Sequence, residues 1–358
     1  MISLTIILTL FIRQKFDAKN FRELLLCNLR YNTQVEVVLN KTISKFFAFV
    51  ISALALSFIF SGCSPVSSSV DTNVNKNTDK ISNDYEKPEI VGEIKSKEIT
   101  ESSGIAASRC NTDVFWTHND SGDEAFLFAL NAKGEKLGTF RVSGAKNHDW
   151  EDIAAFQNEK GECFLYIGDI GNNTRIRDIF TIYRVKEPEI SGADKNSSKK
   201  NPSKTEKVQA IKFEYPDLHR DAETLMIHPN TGDIYILSKR LSDSAGVYKL
   251  SNNYSLQKTN KLEKLADFTV PAIPNGFLTG GDISPDGLRV VLCDYFNAYE
   301  IVLPEKTKKF DEIWKQKPLI IELGKREQGE AVCYSADGKA VFATSENKNS
   351  PIIKVTQK

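Results

Sequence analysis

One pattern recurs five times and constrains the fold more than any other feature of the chain. Aligned on a single aliphatic position, "TESSGIAAS" at Ile105, "HDWEDIAAF" at Ile153, "RDAETLMIH" at Leu225, "LTGGDISPD" at Ile283 and "EQGEAVCYS" at Val332 superpose. Each is followed by a turn signal ("CNTD", "NEKG", "PNTG", "PDG", "ADG") and then an alternating apolar run, which predicts a β-hairpin five times over.

Two further strand-like runs follow each of the first four hairpins: "AFLFALN" and "KLGTFRVSG", "FTIYRVK" and "VQAIKFEY", "AGVYKLS" and "LEKLADFTV", "AYEIVLP" and "PLIIELG". Quartets of strands repeating at roughly fifty residues predict propeller blades. The fifth hairpin has only "PIIKVTQ" after it, while "PEIVGEIK" (88–95) stands unassigned before the first repeat, so the N-terminal strand is expected to complete the last blade. That closure removes an open edge. The expected fold is all-β: a five-bladed β-propeller of four-stranded antiparallel blades, or a six-bladed one if the long second or third repeat hides another sheet.

Antiparallel pairing puts the start of each inner strand and the end of the second strand on one face of the disc. Four and two positions before the anchoring aliphatic stand Glu101 and Ser103, Asp149 and Glu151, Asp221 and Glu223, Thr279 and Gly281, Gln328 and Glu330. Period-two alternation leans each pair toward the axis and turns Trp150 the other way, into the packing between blades. The second strands bring His118, Asn119 and Asp120; Asp169 and Asn172; Lys239 and Arg240; Asp294 and Tyr295; Glu346 and Asn347 to the same rim.

Carboxylates converging in a low-dielectric funnel must take up protons, pair with cations such as Arg220 or Lys239, or hold a metal. Oxygen ligands without cysteine favour Ca²⁺ or Mg²⁺ over zinc. The expected metal ligands are Glu101, Asp149, Glu151, Asp221, Glu223 and Glu330; the expected ligand-contacting rim is His118, Asn119, Asp120, Asp169, Lys239, Asp294 and Glu346. In the competing reading these acids accept hydrogen bonds from backbone amides and hold blades in register. A hydrolase would use Glu151, Glu223 and Glu330 as acid, base and pKa modulator. His118, His148 and His219 adjoin acidic motif residues and fit either a general base or a loop brace; His228, before Pro229, reads as structural.

Zero formal net charge gives no electrostatic reason to expect nucleic acid. The sequence carries no P-loop, no G-x-S-x-G elbow, no H-E-x-x-H and no C-x-x-C, so the corresponding mechanisms lack their minimal requirements.

Residues 46–62, "FFAFVISALALSFIFSG", follow Lys41 and Lys45 and end in small residues before Cys63, the layout of an export signal. The junction "FSGC" resembles the lipobox of bacterial lipoproteins, with Phe60 where that pattern has Leu. Residues 1–36 are expected to be a misassigned extension, with translation starting at Val37, Val38 or Leu39; residues 37–62 are a signal peptide; 63–87 are a lipidated Cys63 with a disordered tether; and 88–358 are the propeller. An uncleaved membrane anchor is the rival reading, and it too places residue 64 onward outside the cytoplasm. Ser64 resembles the sorting signal that favours an outer membrane or cell surface over the inner membrane. The polar stretch 189–207 reads as a second, exposed loop. Of the four remaining cysteines, Cys110 and Cys163 fall at similar places in neighbouring repeats and form the expected pair; four buried thiols are the alternative.

"ESSGIAAS", "WTHNDSG", "LFALNAKGEKLGTF", "DWEDIA", "YIGDIGNN", "YPDLHRDAETL" and "GGDISPDG" together resemble a group of exported bacterial β-propellers, and the "ESSGI … DWEDI" core is similar to the SdiA-regulated family of extracytoplasmic propellers. The resemblance spans about residues 88–340. It implies the fold and cation sites and says nothing of a reaction. The expectation is a monomeric, lipid-anchored binding propeller with Ca²⁺ in its funnel, facing a carbohydrate, peptide or phosphorylated ligand. The alternatives are a glycosidase or calcium-dependent phosphoesterase, and a protein–protein interaction scaffold.

Overall fold

The computed structural model describes residues 81–358 except Leu218, His219 and Ile273. The expected extension, signal peptide, lipidated Cys63, Ser64 and His219 therefore lie outside the described residues. Among the described residues no helix is long and apolar enough to cross a membrane.

Five sheets form a five-bladed β-propeller. Blade 1 consists of Ser102–Ala107, Phe115–Asn119, Phe126–Leu130 and Lys136–Arg141. Blade 2 is built from Trp150–Gln157, Cys163–Asp169, Phe180–Lys186 and Gln209–Glu214. Blade 3 has Ala222–Ile227, Ile234–Ser238, Ala245–Leu250 and Glu263–Phe268. Gly280–Ile283, Arg289–Cys293, Asn297–Val302 and Leu319–Glu322 make blade 4. Blade 5 takes Gly329–Tyr334, Ala340–Ser345 and Pro351–Thr356 from the C-terminus and Glu89–Glu93 from the N-terminal side. Its outer strand is the predicted closing strand. The first strand of each blade is innermost, and the five inner strands touch in cyclic order, blade 5 returning to blade 1.

Each blade interface carries its own hydrophobic cluster, five in all. Alternation explains this: one face of a strand packs forward and the other backward, so inner strands such as Ala222–Ile227 are buried at every position. Trp150 is fully buried between blades 1 and 2, its indole N–H donating to the Lys146 carbonyl at 3.0 Å.

Three sequence expectations change. The long second repeat hides no sixth sheet. Its 189–207 stretch is not a free loop: Gly192–Asn196 form a short 3₁₀ turn, and Ser203–Lys204 pair in parallel with Phe140–Arg141 on the outer edge of blade 1. Enough backbone partners exist there to outweigh the polar composition. Residues 81–87, expected to belong to the tether, instead begin on the propeller: Ile81 bridges Ile320 and Tyr85 bridges Gln357. Tyr85 is buried, its hydroxyl donating to Glu300 at 2.6 Å beside the Tyr334 hydroxyl at 2.8 Å. Cys110 and Cys163 form a disulfide linking blades 1 and 2, and Cys293 and Cys333 are buried free thiols.

Candidate functional site

One backbone contact repeats at the start of four inner strands and is reversed in the fifth. Asp120 N donates to Glu101 O (3.0 Å), Ile170 N to Asp149 O (3.1 Å), Lys239 N to Asp221 O (2.9 Å) and Glu346 N to Gln328 O (2.9 Å), with Thr279 N to Cys293 O (2.9 Å) in blade 4. The residues aligned by sequence thus share one mouth.

Below them the pairing between inner and second strands slips in four blades, at Ser102/Ile105, Trp150/Asp152, Ala222/Thr224 and Gly329/Ala331. A bulge re-aims the residue it leaves unpaired. Glu151, Glu223 and Glu330 occupy these bulges, which replaces the simple alternation expected from sequence. Each is about 4% exposed.

The carboxylates act on one another. Burial first, then Glu223, Asp120 and Asp149, hold the Glu151 carboxyl well above its ordinary range. Glu330 is raised well above it by burial and Glu223. Burial and the Asp120 and Asp221 charges push Asp149 to about 6. Burial drives Glu223 to about 7, with Asp221 adding to the rise and Lys239 opposing it. Glu346 also reaches about 7, through burial, Asp120 and Glu101. Asp120 is raised by burial, Glu101 and Asp221.

Lys239 is the cation at the centre. Its Nζ lies 2.5 Å from Glu223 Oε1 and sits 4.7 Å from the Phe277 ring centroid and 5.6 Å from that of Tyr295. Burial would strip its proton, but Glu223 and Glu330 overcome that and strengthen its charge. Gln328 Nε2 bridges Glu346 and Glu330 Oε1, the latter at 3.3 Å.

On the wall made by blades 1 and 2, Asp120, Asp149 and Glu151 each offer an oxygen within 4.8 Å of the others. Gly171 makes room for them, since a Cβ there would lie 2.1 Å from Glu151 Oε1 and 2.5 Å from Asp149 Cγ. Among the described residues, no hydrogen-bond donor reaches the side chain of Glu151 or Asp149. Glu101, exposed at the mouth, and Asp221, whose Oδ1 accepts from Asn172 N at 2.7 Å, complete the acidic ring.

The other rim candidates brace loops instead of lining the funnel. Asn119 Oδ1 accepts from the Thr100 and Glu101 amides (3.0 and 3.2 Å). Asp169 is held between Arg177 (2.6 Å) and His148 Nδ1 (3.1 Å). Asp294 caps its own turn through the Phe296 and Asn297 amides, both at 2.7 Å, and the Tyr299 hydroxyl at 2.6 Å. His118 is fully buried edge-on to Trp150, where burial lowers it to about 4. His228 packs on Phe310 and accepts turn amides, the structural role read from its place before Pro229.

Two acids were absent from the sequence-based set. Asp152 Oδ1 accepts from Ile153 N (2.8 Å) and Oδ2 from Leu225 N (2.9 Å) in the next blade; Asp282 repeats this with Ile283 N (2.8 Å) and Tyr334 N (3.0 Å). Burial raises Asp152 well above its ordinary range and Asp282 to about 6. The signal was an Asp directly before the anchoring Ile in two repeats.

A cavity of about 300 Å³ beside the mouth is lined by Glu346, Lys325, Arg326 and Lys348, and one of about 620 Å³ lies on the opposite face between blades 5 and 1. No protein-family model and no curated protein matches the chain.

Proposed function

We propose that the chain is an exported, Cys63-anchored binding propeller whose funnel holds Ca²⁺ on Asp120, Asp149 and Glu151 and presents it to a ligand at the mouth. The observation that carries this reading is the buried Glu151 carboxyl, lacking a donor among the described residues and converging with two other acids within 4.8 Å. Oxygens coordinating one Ca²⁺ at about 2.4 Å lie at most about 4.8 Å apart, so one ion spans all three. The ion replaces the protons that repulsion otherwise imposes. The Cys110–Cys163 disulfide fits an oxidising compartment, which supports export. Short strands on the outer edges of blades 1 and 2 fit a monomer.

The hydrolase reading needs an acid and a base facing each other across accessible space. Glu223 instead neutralises Lys239, and Glu151 converges with Asp120 and Asp149 on one point. Activity on a glycan or phosphoester panel that disappears in Glu151→Gln would reinstate it.

The test is thermal unfolding of the full chain with Ca²⁺ or EDTA. At a hundredfold excess over Kd the ion adds about 2.7 kcal/mol, a rise of roughly 5 °C or more in Tm. Glu151→Gln is expected to abolish that rise. A wild-type Tm indifferent to Ca²⁺, or a rise preserved in Glu151→Gln and Asp149→Asn, ends this reading.

A further inference from the structure

The funnel has two unlike walls. Blades 1 and 2 contribute the converging acids Asp120, Asp149 and Glu151. The opposite side, from blades 3 and 4, is aromatic: Phe277 and Tyr295 meet edge to face at 4.9 Å over the Lys239 ammonium. The next residue, Phe296, is 63% exposed at the tip of a turn pinned by Asp294. Leu241, 65% exposed, stands on the neighbouring blade 3 loop, which is tied to Gly276 through Arg240 N (2.8 Å). Covering these side chains on binding removes apolar surface from water, which favours a ligand with an apolar face.

The charges narrow the occupant. A free phosphate or phosphorylated ligand meets a ring of carboxylates, and Lys239, the cation set among them, is already engaged by Glu223. A basic peptide meets loops whose acids Asp169, Asp217 and Asp243 are already paired with Arg177, Arg220 and Arg240. An ammonium group aimed at the aromatic wall meets Lys239, which holds that place. A neutral ligand rich in hydroxyl donors, with one flat apolar face, meets none of these obstacles.

We infer that the mouth takes a neutral saccharide, whose vicinal hydroxyls complete the coordination of the ion on Asp120, Asp149 and Glu151 while its apolar ring face lies on Tyr295 and Phe296. The inference rests on the cation reading above. Hydroxyl oxygens suit the open positions of a Ca²⁺ shell, which needs six to eight oxygens. Ring C–H faces suit an exposed aromatic side chain, and a binding site of this kind pairs apolar surface with a few fixed polar groups. The buried acids fill the depth of the funnel, so the sugar lies across the entrance.

Calorimetric titration of the full chain tests it with three probes: a panel of neutral hexose and pentose oligosaccharides, a lysine-rich peptide, and inorganic phosphate, each with Ca²⁺ and with EDTA. One class of oligosaccharide is expected to bind with Ca²⁺ and not with EDTA. Phe296→Ala should weaken it at least tenfold while the ligand-free Tm stays unchanged, since the ring is exposed. No saccharide binding by a protein that does respond to Ca²⁺ overturns the inference and leaves the cation reading intact. Binding that survives EDTA overturns the chelation, an unchanged affinity in Phe296→Ala overturns the platform, and binding of the peptide or phosphate alone replaces the saccharide.

Discussion

At the scale of single residues, the funnel stores protons that the unfolded chain would not hold. Asp149 titrates at about 6 and Glu223 and Glu346 at about 7 because burial and neighbouring carboxylates disfavour their charge. A carboxyl raised on folding binds its proton more tightly in the native state, so its contribution is complete below about pH 4 and is lost as pH climbs through 6 to 7. In EDTA, Tm is therefore expected to fall between pH 5 and pH 8; with saturating Ca²⁺ the fall is smaller, because the ion displaces the proton of Asp149. A Tm that is flat or rising across that window in EDTA contradicts the assignment. Glu151 was legible in the sequence as an acid ahead of an anchoring aliphatic. Its lack of a donor was not, because that depends on which loops of blades 1 and 2 approach it.

Between residues and the ring stands the inner strand, and here the bulges matter most. A regular strand would send Glu151 and Asp152 to opposite faces. The slip at Trp150/Asp152 lets Glu151 turn to the funnel while Asp152 reaches the Leu225 amide of blade 3. Asp282 makes the equivalent strap from blade 4 to Tyr334 of blade 5. These acids realise the register-holding role that the sequence offered as the competing reading, but at positions one residue later than those weighed. Asp152→Ala leaves the Leu225 N–H buried without its acceptor and is expected to cost about 2–4 kcal/mol in urea unfolding. A loss within ±0.5 kcal/mol of zero would show that the strap carries no load.

For the whole molecule, closure comes from three devices that act at different places. Glu89–Glu93 completes blade 5, residues 81–85 lie along blades 4 and 5, and Cys110–Cys163 ties blades 1 and 2 across a sequence separation of 53. Tyr85 and Tyr334 share Glu300, so the incoming segment is fixed to the end of the blade 5 inner strand that lies away from the mouth. Cys110→Ser is expected to cost about 2–4 kcal/mol with a single unfolding transition preserved, because the loop that the bridge closes is long. Two transitions in Cys110→Ser would mean that the ring does not unfold as one unit.

The repeat alone determined the five hairpins, their order, the N-terminal closing strand and the ring of acids at the mouth, because strand alternation and turn residues act over a few positions that a sequence records directly; that no sixth sheet joins them was decided by the tertiary structure. The order in 189–207 and the docking of Tyr85 were decided by tertiary structure, since both depend on an edge or cleft supplied by a distant blade. The same holds for the division of the rim residues into funnel acids and loop braces. His118, Asn119, Asp169 and Asp294 stand beside the mouth in sequence and are turned from it by partners such as Trp150, Thr100, Arg177 and Tyr299. Side-chain direction at a bulge or a turn is set by those partners, and no local period encodes them.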